Sequence, residues 1–352
     1  MKEVIAIALT VLSTFCGTDI AEEIQYNIEN INNNYTEERD YNTYFVRNTV
    51  NKPMIIDTDI GADADDACCL RIATQLDTEA VIDLKAVCTS YSGDNVIRAV
   101  DGLLTHDRID NVLIGYCTAD TPLIDGYTDV MEPFASGKYE VLDAVSVYRK
   151  ILSESEEPVD IVTTGYLTNI ENLLKSEPDC YSELNGIELI KEKVGQLYIV
   201  GGSYTEGYDN NFYAVPQASY AAWYTNEYWP LPIIYFINNQ ANVLTCGAQL
   251  EAIDATNNDI VSKALRRYGT EFGRAAWDPY AVALASYGFT DECQSNIQRA
   301  NTIIDMNNGH NIFTLDENSR HYIVFRNEGV PYEYYNNMLD SILLKKYYEI
   351  YG

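Results

Sequence analysis

An α/β fold, with a mostly parallel central sheet and helices on both faces, is the class this 352-residue sequence predicts. Three observations carry it. From Lys52 onward, apolar runs of strand length alternate with segments of helical period. Every polar cluster of note follows one of those runs, where the loops at the carboxyl ends of parallel strands bind ligands. The chain is 47% hydrophobic, enough for one large α/β core or two smaller domains.

In chain order, "PMII" reads as a strand, then an acidic turn and the helix "DDACCLRIATQL". "LKAVCTS" precedes the helical "NVIRAVDGLLTH". "NVLIGY" leads to a segment read wholly as helix, "EVLDAVSVYRKILSE". "VDIVTTG" precedes the helix "LTNIENLLKS"; "QLYIVGG" precedes a Gly-containing loop; "LPIIYFI" is another apolar run. After about residue 300, "NTIIDMNNGHNIF" and "RHYIVFR" read as a small C-terminal β hairpin.

Upstream, Met1-Lys2, the apolar stretch Val4 to Phe15 and Cys16-Gly17-Thr18 resemble a secretory signal peptide. Residues 1–18 are assigned to it, 19–51 to an Asn- and Tyr-rich arm, and 52–352 to the folded domain. The expected location is secreted or lumenal, and cytoplasmic without the signal. No other run is apolar enough for a membrane span. Asn34-Tyr35-Thr36 is a glycosylation sequon with meaning only on export. The cysteines show no repeating spacing, which argues against a disulfide framework or a Cys-rich zinc site; Cys68 and Cys69 read as small core residues. A formal net charge of -30 opposes nucleic-acid binding and is compatible with a neutral substrate and a cationic metal.

The stretch "MIIDTDIGADADDACCL" holds five aspartates in ten residues, Asp57, Asp59, Asp63, Asp65 and Asp66. Helix capping accounts for one or two of them, and a hard cation accounts for more. An EF-hand loop counted from Asp57 fails, because Gly61, Ala62 and Cys68 stand where an oxygen ligand, a glycine and a glutamate belong.

Two families open in this way. In haloacid-dehalogenase-type phosphatases an apolar strand leads into Asp-x-Asp, which would make Asp57 the nucleophile of a Mg²⁺-dependent enzyme. "DTDIGADADDA" is closer to the opening signature of the inosine-uridine nucleoside hydrolase family, in a variant with two extra residues before the paired aspartates. Further motifs of that family follow in order. "VDIVTTGYLTNIENLLKSEPD" resembles the segment whose threonine carbonyl binds calcium, and Thr164 falls at that threonine. "VGGSYTEGYDNNFYAVPQAS" resembles the sugar-binding loop, with Asp209 and Asn211 at its acidic and amide positions. "AAWDPYAVALA" resembles the last motif, with Asp278 at the calcium-binding aspartate. The resemblance runs from about Lys52 to Phe325.

It implies Ca²⁺ held by Asp59, Asp66, Asp278 and the Thr164 carbonyl, and hydrolysis of a ribonucleoside to base and ribose. It assigns the general base to Asp65, with Asp63 as a rival, and ribose contacts to Asp209 and Asn211. Where the family has Asn after a glycine to bind ribose or support the metal, Asp94 follows Gly93; Asn95 would serve only by a shift. Trp277 stands where many members have histidine, as in purine-preferring members that stack the base on an aromatic ring. Tyr166 replaces a residue that is often Pro or Gly and would narrow the pocket. A homo-oligomer is expected by the same resemblance. Two alternatives stay open: the phosphatase, and a catalytically inactive extracellular binding protein that keeps fold and metal.

Overall fold

In a computed structural model of the chain, residues 51–122, 124–270, 272–289 and 293–352 are described. The expected signal segment, the Asn34 sequon and all of the 19–51 arm except Asn51 lie outside them. The strands are β1 (Lys52–Thr58), β2 (Ile82–Thr89), β3 (Leu113–Tyr116), β4 (Val141–Asp143), β5 (Val159–Thr163), β6 (Val194–Val200), β7 (Thr205–Gly207), β8 (Ile233–Phe236), β9 (Thr245–Cys246), β10 (Arg274–Ala275), β11 (Ser295–Ile304), β12 (Asn311–Leu315) and β13 (His321–Arg326). The main sheet runs β4-β3-β2-β1-β5-β6-β8-β13-β11-β12-β7. From β4 through β13 neighbouring strands are parallel; β11, β12 and β7 extend the sheet antiparallel. The expected C-terminal hairpin is present as β11–β12. It is continuous with the large sheet because β13 pairs with both β11 and β8.

The larger helices are α1 (Asp65–Thr78), α2 (Asp94–His106), α3 (Ala144–Glu154), α4 (Thr168–Leu174), α5 (Gly186–Lys193), α6 (Pro216–Tyr228), α7 (Ile260–Tyr268), α8 (Trp277–Tyr287) and α9 (Tyr332–Tyr351). Side chains alternate across a strand, so each central strand feeds two cores. Ile55, Ile161, Leu197, Ile199 and Tyr235 join Val147, Leu152, Ile170 and Leu173 in one buried cluster. On the other face α1 packs against α8, α9 and α7. Among the described residues no helix is long and apolar enough to cross a membrane.

Two readings change. Residues 141–143 of the segment read as helix form β4, which pairs Val141 with Ile114 and Leu142 with Gly115. Asp143 then caps α3 by accepting from the Ser146 amide at 3.0 Å, so the helix starts three residues later than its apolar pattern. Helix α9, 20 residues long, is an element no sequence signal announced. Cys68 and Cys69 are buried as expected, and the seven described cysteines are all free.

Helix α1 is buried from Asp65 to Leu76, wrapped by sheet and helices rather than exposing a polar face. Its Arg71 is fully buried and bonds Asp107 at 2.7 Å and Asp259 at 3.0 Å. A buried guanidinium needs such partners, since removing one would strand a charge in the core. The Arg71 contacts tie α1 to the end of α2 and the start of α7, fixing the helix whose N-terminus carries the paired aspartates.

Candidate metal and active site

The turn between β1 and α1 is built from inside. Gly61 has φ +115°, a conformation side chains rarely adopt. The buried Tyr127 hydroxyl accepts from the Gly61 amide at 2.9 Å and donates to the Asp63 carbonyl at 2.8 Å. Gly126 adds an amide bond to the Gly61 carbonyl at 2.7 Å. This brace holds the acidic loop over the carboxyl end of β1. Because β5 lies beside β1, the Thr164 amide reaches the Asp57 carbonyl at 2.7 Å, bringing the "TTG" turn alongside.

Asp59, Asp66 and Asp278 converge: one carboxylate oxygen from each lies within 4.8 Å of the others. Asp66 and Asp278 are buried and Asp59 half-buried. Thr58 donates its hydroxyl to Asp66, and the Thr164 hydroxyl lies 3.3 Å from the same oxygen. Asp65 is buried beside them and accepts the Asp278 amide at 3.3 Å. Burial, with the Asp65 charge next, pushes Asp66 up to about 8. Burial first, and then neighbouring carboxylates, raise Asp59, Asp65 and Asp278 as well. Crowded, buried carboxyls of this kind call for protons or a cation. The trio contains neither sulfur nor imidazole, and an all-oxygen donor set suits a hard divalent ion. The residues therefore fit a hard divalent cation such as Ca²⁺, with the Thr164 hydroxyl close to the trio.

The other residues singled out in the sequence divide. Asp63 stands apart from the trio and forms a forked ion pair with Arg274, Oδ1–Nε 2.7 Å and Oδ2–Nη2 2.5 Å. Asn211 Nδ2 donates to the Thr164 carbonyl at 2.7 Å and to the Val200 carbonyl at 3.0 Å, so its amide braces the Thr164 turn directly. Asp209 is buried, caps the short helix Asn210–Tyr213 through the Asn211 amide at 2.9 Å, and is pushed up to about 6 by burial. Asp94 is exposed at the start of α2, whereas Asn95 is engaged with Asp125 and Thr128. Trp277 is half-buried, with its indole N–H donating to the Asn238 carbonyl at 3.2 Å. The Tyr166 hydroxyl meets that of Tyr91 at 3.2 Å, and both lie within the field of Asp59. Tyr91, Tyr127 and Arg274 were not singled out in the sequence; an isolated tyrosine or arginine in a loop carries no signal of what it will face.

Asp57 points into the helix layer. Its Oδ2 accepts from the Tyr148 hydroxyl at 2.8 Å and from Asn169 at 3.0 Å, and the residue is 1% exposed. A phosphatase nucleophile must reach substrate, and this carboxylate is sealed from it.

A parallel α/β sheet with a cluster of convergent aspartates at its carboxyl edge, able to hold a cation, defines the class. The sequence profile of the inosine-uridine preferring nucleoside hydrolases matches residues 54–326, and the chain belongs to that family. This overturns the phosphatase alternative. The pyrimidine-specific ribonucleoside hydrolase RihA of Escherichia coli O1:K1 is 29% identical over 184 residues, 47% of this chain and 55% of that protein. The chain thus spans about half the length of the curated relatives it matches. Among solved structures, the inosine-uridine preferring nucleoside hydrolase of Bacillus anthracis superposes with a TM-score of 0.61 at 14% identity, covering 84% of this chain and 98% of that one. The purine-preferring ribonucleoside hydrolase of Gardnerella vaginalis gives 0.63 at 16% identity, covering 84% and 99%. These two share the fold.

Proposed function

We propose that the protein hydrolyses the N-glycosidic bond of ribonucleosides, releasing free base and ribose, with a Ca²⁺ ion as cofactor. The observation that carries this reading is the convergence of Asp59, Asp66 and Asp278, from two segments far apart in the chain, in a member of this family. Asp59, Asp66, Asp278 and the Thr164 carbonyl would hold the ion. Bound there, the cation would supply the positive charge that makes water in the site more acidic.

Asp65 takes the water proton. It adjoins the trio through the Asp278 amide, and its burial favours the protonated form, which gives it proton affinity. Asp63 is the weaker assignment because both of its oxygens are engaged by Arg274. In this reading Asp209 and the Oδ1 of Asn211 contact the ribose hydroxyls, and the exposed Asp94 takes the position where the family has a ribose- or metal-supporting amide. As C1′ loses its bond to nitrogen it gains oxocarbenium character, which nearby carboxylates stabilise. Trp277 offers an indole face to the departing base. That favours purines, whose two fused rings stack over more area than a pyrimidine. RihA is described as pyrimidine-specific and the Gardnerella enzyme as purine-preferring, so both preferences occur among the relatives and the purine leaning rests on Trp277 alone.

The test is incubation of the purified protein with inosine, adenosine, guanosine and uridine, with and without EDTA. Chelator-sensitive release of base, faster from the purines, is the expected result. Calcium binding without release from any nucleoside would instead identify a binding protein that keeps the fold, the reading that Asp94 in place of the usual amide favours. Export and homo-oligomerisation belong to the same proposal; mature N-terminal sequencing and light scattering read them.

A further inference from the structure

The pair Asp63–Arg274 joins the acidic loop to the segment just ahead of Trp277, across 211 positions of sequence. Both side chains are 30% exposed, so the pair lies at the rim of the site rather than in the core. The Arg274 guanidinium carbon is 5.1 Å from the centre of the Trp277 ring and 5.4 Å from that of Tyr268. Its backbone is fixed as firmly. Arg274 pairs with Cys246 in the β9–β10 ladder. Gly273 before it has φ +77° and donates its amide to Glu251 at 2.9 Å; a Cβ there would sit 2.6 Å from the Cys246 carbonyl oxygen.

Asp63 engages Nε and Nη2, and Nη1 has no hydrogen-bond partner among the described residues. The Arg274 charge also reaches Asp65, whose carboxyl it draws down against burial. A permanently charged donor therefore stands against the Trp277 ring, tied to the acidic loop through Asp63. The three histidines do not compete for that place. His106 bonds Asp107 and Tyr351, His310 faces Glu206, and His321 is buried, accepting the Ile233 amide.

We propose that Arg274, oriented by Asp63, is the leaving-group residue: its Nη1 donates a hydrogen bond to an acceptor nitrogen or carbonyl oxygen of the departing base stacked near Trp277. The proposal rests on the nucleoside hydrolase reading. In the step, water oxygen bonds to C1′ and gives its proton to Asp65, while the C1′–N bond breaks and its electron pair stays on the base. Arg274 keeps its own proton, since guanidinium is not deprotonated in proteins. It stabilises the nitrogen anion until that anion takes a proton from protonated Asp65 or solvent, leaving neutral base and ribose. Asp63 supplies orientation, holding two of the three guanidinium nitrogens so that the third is aimed.

The experiment compares inosine with para-nitrophenyl riboside, whose phenolate leaves as a stable anion and needs no donor. Arg274→Gln is expected to lower kcat on inosine by about 100-fold or more, and on the nitrophenyl riboside by less than about 5-fold. Arg274→Lys, which keeps the charge and loses the fork, should show the same asymmetry at about 10-fold on inosine. Asp63→Asn should follow Arg274→Lys. Equal losses on both substrates in Arg274→Lys, or unchanged inosine turnover in Arg274→Gln, would overturn the assignment of Arg274 alone. Wild-type protein inert on both substrates would overturn the hydrolase reading, and this proposal with it.

Discussion

The side-chain amide of Asn211 donates to the carbonyl oxygen of Thr164 at 2.7 Å, although 47 residues separate them. A carbonyl oxygen has two lone pairs, so this bond leaves Thr164 able to face a cation while its peptide plane is held. Asn211 thereby braces the Thr164 turn, and in the proposed site it would act on the ion as well as on the sugar. Asn211→Leu is expected to weaken Ca²⁺ binding about 10- to 100-fold, as loss of an outer-shell partner does. Isothermal titration with Ca²⁺ measures it. Unchanged affinity with only a raised KM for nucleoside would confine Asn211 to sugar binding.

Adjacent aspartates are expected to separate in function. Asp66→Asn removes a ligand and should abolish Ca²⁺ binding. Asp65→Asn should bind Ca²⁺ nearly as well as wild type and lose about 10²- to 10⁴-fold in kcat, the contribution of a general base. Metal titration and steady-state kinetics on both variants test this; Asp65→Asn with full turnover would return the base to Asp63.

Gly165 is needed for the approach of its turn to the acidic loop. A Cβ at that position would run into Ser90 Oγ and lie 2.7 Å from Asp59 Cβ, with the Asp59 amide nitrogen at 3.0 Å. Gly165→Ala is therefore expected to push Asp59 out of the trio, destabilise the fold by about 1–3 kcal/mol and weaken the ion. Denaturant unfolding with and without Ca²⁺ reads both effects, and the stabilisation conferred by Ca²⁺ should shrink relative to wild type.

Metal removal should couple to pH. Asp209 at about 6 and Asp66 at about 8 stand above the ordinary aspartate value of 3.8. Between 3.8 and those values the metal-free folded state binds more protons than the unfolded chain, so stability falls as pH rises. Chelated protein is expected to lose Tm from pH 4 to pH 8. Added Ca²⁺ neutralises the ionised trio and should raise Tm more at pH 8 than at pH 5. A metal-free Tm that climbs across this range would mean the trio is not protonated in the folded state.

Short-range order was legible along the chain. The "PMII" strand, the acidic turn and helix α1 follow from apolar periodicity and helix-start chemistry acting over a few residues. The β–loop–α units announced a parallel sheet, because such strands require crossover connections. What escaped was set at long range. Val141–Asp143 became a strand because β3 offered an unpaired edge, which overrode helical periodicity. Within the acidic loop, Asp59, Asp63, Asp65 and Asp66 are chemically alike, and no spacing says which will meet a cation and which a guanidinium. Strand order decided it: β5 beside β1 delivered Thr164, helix α8 packed on α1 delivered Asp278, and the β9–β10 ladder delivered Arg274 to Asp63. Local sequence determined where the carboxylates lie along the chain, and only tertiary packing, which chooses partners some two hundred residues distant, determined what each one faces.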